Sequence, residues 1–182
     1  MGTYTKLNRP ILVVDYDPNW PSLYEKEREC ILAALGKRVA QIEHIGSTSV
    51  PGLAAKPTID IAVGVDNFEK AKAYIRIIEN LGYTYEPEFE AELPERRFFW
   101  KGIPTAHTYH ISMAEPTSSV WVKPILFRDY LRGHPDEARR YQQLKRELAA
   151  HYGSDMDAYV RSKTAFVESI LLKAESAIRV EL

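Results

Sequence analysis

Gly46 and Ser47 end one apolar run of the chain, and Asp60 lies inside the next, between Ile59 and Ile61. Glycine has no side chain, so a phosphate can approach the backbone closely there. The N–H groups of Ser47 and Thr48, with the Ser47 hydroxyl, can donate to the phosphate oxygens. A carboxylate held on a strand, as Asp60 would be, can carry a Mg²⁺ that bridges those oxygens. Lys56, Pro51 and Pro57 border the same loop. The competing reading is a Gly-Ser turn between two strands with a solvated aspartate beyond it, and the local pattern admits both.

A second group of residues lies between 97 and 113. Tyr109, Ile111 and Met113 alternate with Thr108, His110 and Ser112. Strand pleating therefore puts His107 with the apolar set and His110 on the opposite face. By the same rule Asp60 faces away from Ile59, Ile61 and Val63. With a hairpin loop at 102–105, Arg97 falls opposite His110, and one sheet face gathers Asp60, Arg97 and His110. That set suits a metal-nucleotide or proton transfer, although a solvated face of an antiparallel sheet also alternates this way. His107 and His110, three apart on a strand, should point to opposite faces, so a zinc shared between them would require a bulge. Lys163 stands among Tyr159, Phe166 and Ile170. A lysine there either snorkels or points into a cleft that holds an anion. His44, His134 and His151 read as structural.

The elements that must position these residues follow from periodicity. Strands are expected at 11–14, 40–45, 59–63, 83–85, 96–101 and 106–113. Helices are expected at 20–35, 66–82, 122–132, 135–152 and 155–174. Asn19 caps the first of these, and Asp66 with Glu69 forms a capping box on the second. The order gives an α/β fold of the α+β type, a mixed sheet with flanking helices. One domain is expected over 1–182, with its core at about 1–116 and a C-terminal helical segment at about 117–182.

Composition removes several alternatives. The 182 residues can bury a full core. Lys and Arg number 24 against 25 Asp and Glu, a net charge of -1, which argues against a general nucleic-acid binder. Cys30 is the only cysteine, so the chain is not a disulfide-stapled secreted scaffold. Residues 1–8 lack an apolar signal core and no run approaches the roughly 18 apolar residues of a membrane span. A cytoplasmic protein is expected.

Residues 42–61, IEHIGSTSVPGLAAKPTIDI, closely resemble the signature of the GrpB family. Supporting stretches are Tyr16-Asp17-Pro18-Asn19-Trp20, residues 97–102, 107–111 and 127–132, His134-Pro135, and residues 163–166, so the resemblance covers nearly the whole chain. The family is similar to the DNA polymerase β-like nucleotidyltransferase superfamily, whose pattern is Gly-Ser, a loop, then two carboxylates one residue apart on a strand. The resemblance implies a nucleotidyltransferase-like mixed sheet and metal-dependent transfer of a nucleoside monophosphate from a triphosphate to an unidentified small molecule. GrpB-like domains fused to dephospho-CoA kinase further imply nucleotide or coenzyme metabolism. On this reading Gly46, Ser47 and Thr48 grip the triphosphate, Asp60 holds Mg²⁺, and His110 is a ligand or proton acceptor. Lys56, Arg97, Arg128 and Lys163 offset phosphate charge. The sequence departs from the superfamily pattern at one place: the same-face neighbours of Asp60 are Thr58 and Ala62, so the second acid is missing. Glu43 and Asp129 are the acids left to complete a metal set. The alternative implied is a non-catalytic binder of nucleotides or phosphorylated metabolites.

Overall fold

The computed structural model describes residues 10–180; the expectation that residues 1–8 hold no apolar signal core falls on a segment outside them. Five strands, β1 (Gln41–Ile45), β2 (Ile59–Gly64), β3 (Thr84–Tyr85), β4 (Arg97–Ile103) and β5 (Ala106–Ala114), form one sheet in the order β1-β2-β5-β4-β3. β2 and β5 run parallel and every other neighbour pair is antiparallel.

Period-two alternation builds the main core. Ile61 and Val63 on β2, Ile111 and Met113 on β5, and Phe99 on β4 point to one face and are fully buried. Helices α1 (Trp20–Leu35) and α2 (Ile75–Glu79) cover that face with Ile31, Leu35 and Ile78. Burial of each such side chain stabilises the fold by about 1.5–3 kcal/mol. On the opposite face Trp121 of α3 (Ser119–Gly133) packs on Ile45 and Ala62. Three more helices follow, α4 (Pro135–Tyr152), α5 (Met156–Ser162) and α6 (Thr164–Val180). Leu131, Tyr141 and Ile170 from α3, α4 and α6 close around Val50 and Leu53 of the loop after β1. That cluster brings the C-terminal helices to the Gly46 corner of the sheet. The architecture is thus a mixed α/β fold with a central mixed sheet and flanking and terminal helices.

Several elements differ from the periodicity. Residues 11–14 form only an isolated bridge, Val14 to Ala55. Asn19 is not a side-chain cap; its backbone N–H and side-chain amide both donate to Asp17 Oδ1 at 2.9 Å. The segment 66–82 is not one helix. The Phe68 N–H donates to Glu115 Oε1, which ties the start of the segment to the end of β5. A 3₁₀ turn at Lys70–Tyr74 and the short α2 follow. The last helical run breaks at Lys163, between α5 and α6.

The largest difference is in the β4–β5 hairpin. Ile103 pairs with Ala106, so only Pro104 and Thr105 remain in the turn. Gly102 pairs with His107 but Lys101 with Tyr109, which leaves Thr108 as an extra residue on β5. Gly102 has φ +124°, and a Cβ there would crowd the Ala106 carbonyl, so the bulge requires glycine. The shift moves one expected site residue. Arg97 pairs with Met113 instead of His110 and lies on the core face, 1% exposed. There it donates to the Phe68 carbonyl at 2.6 Å, stands 4.0 Å over the Phe68 ring and ion-pairs with Glu90. Arg97 therefore braces the underside of the sheet and is no part of the Asp60 face. Among the described residues, no helix is long and apolar enough to cross a membrane.

Candidate functional site

β1 delivers the chain to Gly46, which has φ +70°. A Cβ at this position would collide with Asp60 Oδ2. The missing side chain therefore makes room for a carboxylate of the protein itself. Ser47–Ser49 then form one 3₁₀ turn, whose opening N–H groups have no partner inside it. The Thr48 side chain points inward: its hydroxyl lies 3.0 Å from His44 Nε2 and donates to the Thr58 carbonyl. His44 stacks on Tyr24. Burial, helped by Arg132 and Arg128 and opposed by Asp60, lowers its pKa to about 4, so the ring is neutral at physiological pH. Thr48 thus holds the loop in place, and only its N–H is left for a ligand.

Asp60 and His110 meet on one sheet face, with His110 Nδ1 2.9 Å from Asp60 Oδ1. Burial alone would raise the Asp60 pKa. The hydrogen bond to His110, with the His110 and Lys56 charges, outweighs it and holds the carboxyl below its usual range. His107 joins this pair, contrary to the pleating expectation, because the Thr108 bulge turns it to the same face. His107 Nδ1 lies 3.0 Å from His110 Nε2, and its ring stacks on Trp100 at 4.2 Å. Thr58 Oγ1 fixes the segment by donating to the His107 carbonyl at 2.9 Å. With the carboxylate ionised, His110 Nδ1 carries the proton, and in the neutral pair Nε2 accepts from His107 Nδ1–H. The result is a hydrogen-bonded chain, Asp60 to His110 to His107. The two imidazoles face each other as hydrogen-bond partners, and among the described residues no group of three or more His, Cys, Asp or Glu could hold a metal ion.

A cleft of about 200 Å³ opens beside this chain. Lys56, Lys145 and Lys163 line it together with Ser47, Asp60 and His110. Lys163 reaches it from the break between α5 and α6, its Nζ 4.2 Å over the Tyr159 ring. Lys145 comes from α4, is 2% exposed, and donates to the Ala54 carbonyl beside the Tyr141 ring. Burial, with repulsion from Lys163, Arg146 and Lys56, lowers the Lys145 pKa to about 7. Burial and Lys56 lower that of Lys163 to about 8, against the pull of Asp60. Tyr141 shares a hydrogen bond with Ser47, and burial raises its pKa. Sequence reasoning missed Lys145 and Tyr141. The signal was present: Tyr141 and Lys145 lie one turn apart on α4, the same juxtaposition of aromatic and lysine that marked Lys163.

Arg128, expected to offset phosphate charge, is not in the cleft. Its Nη1 donates to Glu43 Oε2 at 2.7 Å and to the His44 carbonyl at 2.9 Å. Its Nε and Nη2 donate to Asp129 at 2.7 and 3.1 Å. Arg128 thus clamps α3 to β1 and engages both acids that might have joined Asp60. The second-acid position is Ala62, 2% exposed and packed against Trp121. Among the described residues Asp60 is the one carboxylate lining the cleft, with one oxygen on His110 and the other against Gly46. A two-Mg²⁺ centre relies on several carboxylates to offset its charge, and this donor set does not supply them.

Fold and site together describe a mixed α/β protein with a cationic cleft where its central strands meet the terminal helices. Residues 10–173 match the model of the GrpB protein family, and the chain belongs to that family. The crystal structure of conserved protein GrpB from Enterococcus faecalis superposes with a TM-score of 0.83 at 35% identity, covering 92% of this chain and 99% of that one. UPF0157 protein BH1888 of Halalkalibacterium halodurans is 36% identical over 97% of this chain and 88% of its own length. UPF0157 protein PA4798 of Pseudomonas aeruginosa is 40% identical over 93% of this chain and 69% of its own.

Proposed function

We propose that the cleft binds the phosphate groups of a small phosphorylated metabolite, with a nucleoside triphosphate as the ligand the family resemblance implies. One observation carries the reading: three lysines converge on a cleft that, among the described residues, is lined by a single carboxylate, and two of them are depressed in pKa by burial and by neighbouring cations. An anion placed among them relieves that repulsion and restores their charge. The N–H groups that open the Ser47 turn add donors of the kind phosphates use.

Nucleotidyl transfer is the second reading, favoured by the chain from Asp60 through His110 to His107 in the same cleft. A hydroxyl acceptor beside that chain would give its proton to an imidazole while Asp60 steadied the resulting charge. The strand, Gly-Ser turn, loop and Asp-bearing strand follow the nucleotidyltransferase pattern as far as the missing second acid. A single Mg²⁺ would have Asp60 as its protein ligand and phosphate oxygens and water as the rest, supplying charge neutralisation. Ala62 and the prior engagement of Asp60 weigh towards binding.

Incubation with each nucleoside triphosphate, with and without Mg²⁺, separates these readings when pyrophosphate release and melting temperature are both followed. Stabilisation without release is the expected outcome, at roughly 2.7 kcal/mol when ligand stands at a hundred times its Kd. Release would establish transfer. No response in either measurement would reject both readings.

A further inference from the structure

We infer that the ligand is one molecule with two unlike ends: a phosphate chain on the lysines, and an uncharged ring body of nucleobase type in a second recess beside them. The inference rests on the phosphate reading above and adds a second subsite, the place of the ring to which the phosphates are attached.

The second recess, about 190 Å³, shares Lys56, Thr58 and His110 with the lysine cleft, so the two adjoin along one wall. The rest of its lining includes an aliphatic part that the lysine cleft does not share. It consists of Pro10, Leu12, Pro57, Ala106 and Met156. Leu12 is 58% exposed, next to an Ile11 that is only 7% exposed. A lone exposed leucine calls for no explanation. Leucine, methionine and two prolines meeting in one concavity are the usual lining of a small-molecule site. Among the described residues, no carboxylate lines this recess and Lys56 is its only lysine.

Chemistry then restricts the occupant. A second phosphate group would lack the three-lysine setting found next door. A nucleic-acid strand would need cationic surface along both halves, and the chain has a net charge of -1. An uncharged ring gains by covering Leu12 and Met156, and its polar edge meets Thr105 and His107, which also line the recess. The wall between the two halves is held by the Thr58 hydroxyl donating to the His107 carbonyl and by the Thr108 bulge. The two ends of the ligand are therefore held at a set separation.

Calorimetric titration of the full chain with inorganic tripolyphosphate and with the four ribonucleoside triphosphates tests this directly. At least one nucleotide should bind about tenfold more tightly than tripolyphosphate, the gain expected from covering one large apolar side chain. Leu12→Asn and Ala106→Trp should each reduce that advantage to about threefold or less while leaving tripolyphosphate affinity unchanged. Both positions are exposed, so circular dichroism should show both variants folded. Equal affinity of the wild type for tripolyphosphate and every nucleotide would overturn the inference and leave the phosphate reading standing. So would an advantage that survives both substitutions. Failure of tripolyphosphate and nucleotides alike would reject the phosphate reading itself, and this inference with it.

Discussion

Two groups of buried charge lie near the Gly46 end of β1 and obey different rules. Around Arg128, each part of the guanidinium meets an oxygen: Glu43, Asp129 or the His44 carbonyl. Around Lys145 and Lys163 the cations face a carbonyl, two aromatic rings and one another, with Asp60 as the single acid. The first group is complete within the protein and acts as a clamp between α3 and β1. The second has an excess of positive charge, and its lysines respond by lowering their pKa values. Charge that is balanced internally holds structure together, whereas charge left unbalanced at a cleft is the feature on which the proposed anion binding rests.

The comparison breaks most visibly if the two groups are disrupted in turn. Lys145→Met combined with Lys163→Met should weaken tripolyphosphate binding by about a hundredfold or more, within the range for truncating buried charged partners. The melting temperature should hold or rise, because the fold no longer confines two repelling ammonium groups. Arg128→Met should do the reverse. It should lower stability by about 2–3 kcal/mol, since it strands Glu43 and Asp129 and frees the His44 carbonyl. Measured well below the melting transition, its tripolyphosphate affinity should match the wild type. Equal loss of binding in both variants would erase the distinction drawn here.

Asp60→Asn sharpens the role of the one acid in the cationic group. The substitution removes negative charge from an anion site and weakens the bond to His110. In EDTA, tripolyphosphate affinity should rise several-fold while stability falls by about 1–3 kcal/mol. A fall in affinity confined to Mg²⁺-containing buffer would instead assign Asp60 to a metal. Gly46→Ala tests the same carboxylate from its other side. With φ at +70° and Asp60 Oδ2 in the way, the variant should lose about 1–3 kcal/mol of stability, read as a lower denaturant midpoint.

The smallest effect is a pH dependence. The folded pKa values of Lys145 and Lys163, about 7 and 8, lie below those of lysine in an unfolded chain. Between pH 7 and 10 the unfolded chain therefore binds more protons at these two sites, and their contribution to stability rises with pH. Ligand binding runs the other way: tripolyphosphate affinity should fall from pH 6.5 to 9 as the two ammonium groups are lost. The double Met variant should show neither slope, which separates these lysines from everything else that titrates.

The sheet face carrying Asp60 and His110 was legible in the sequence, because alternation on β2 and β5 is regular from 59 to 63 and from 109 to 113. Arg97 and His107 were misplaced together and for one reason. Strand register depends on every residue being counted, and the extra Thr108 reverses the facing of whatever is counted across it: His107 on the hairpin side, and Arg97 when its partner is counted from the hairpin. Gly46 stood out in the sequence, but its neighbour proved to be the protein's own Asp60 carboxylate. Arg128 and Glu43 illustrate what no local pattern carries. Both were visible as charges, yet the packing of α3 on β1 is what pairs them. Lys145 was hidden by its setting in the polar run Gln142-Gln143-Leu144-Lys145-Arg146, and its burial is decided by α5 and α6 packing alongside.

The parallel pairing of β2 with β5 also sets a schedule. Asp60 and His110 are separated by 50 residues of sequence, and a parallel crossover must close that whole length before either side chain meets the other. Lys145 and Lys163 lie later still. On a ribosome, the carboxylate and imidazole emerge well before the cations that are to balance a ligand. A nascent chain stopped after β5 could complete the sheet pairing and have no means of holding an anion. On the reading proposed above, a ligand present during synthesis would meet its lysines only at the end, when α4, α5 and α6 reach the Gly46 corner of the sheet.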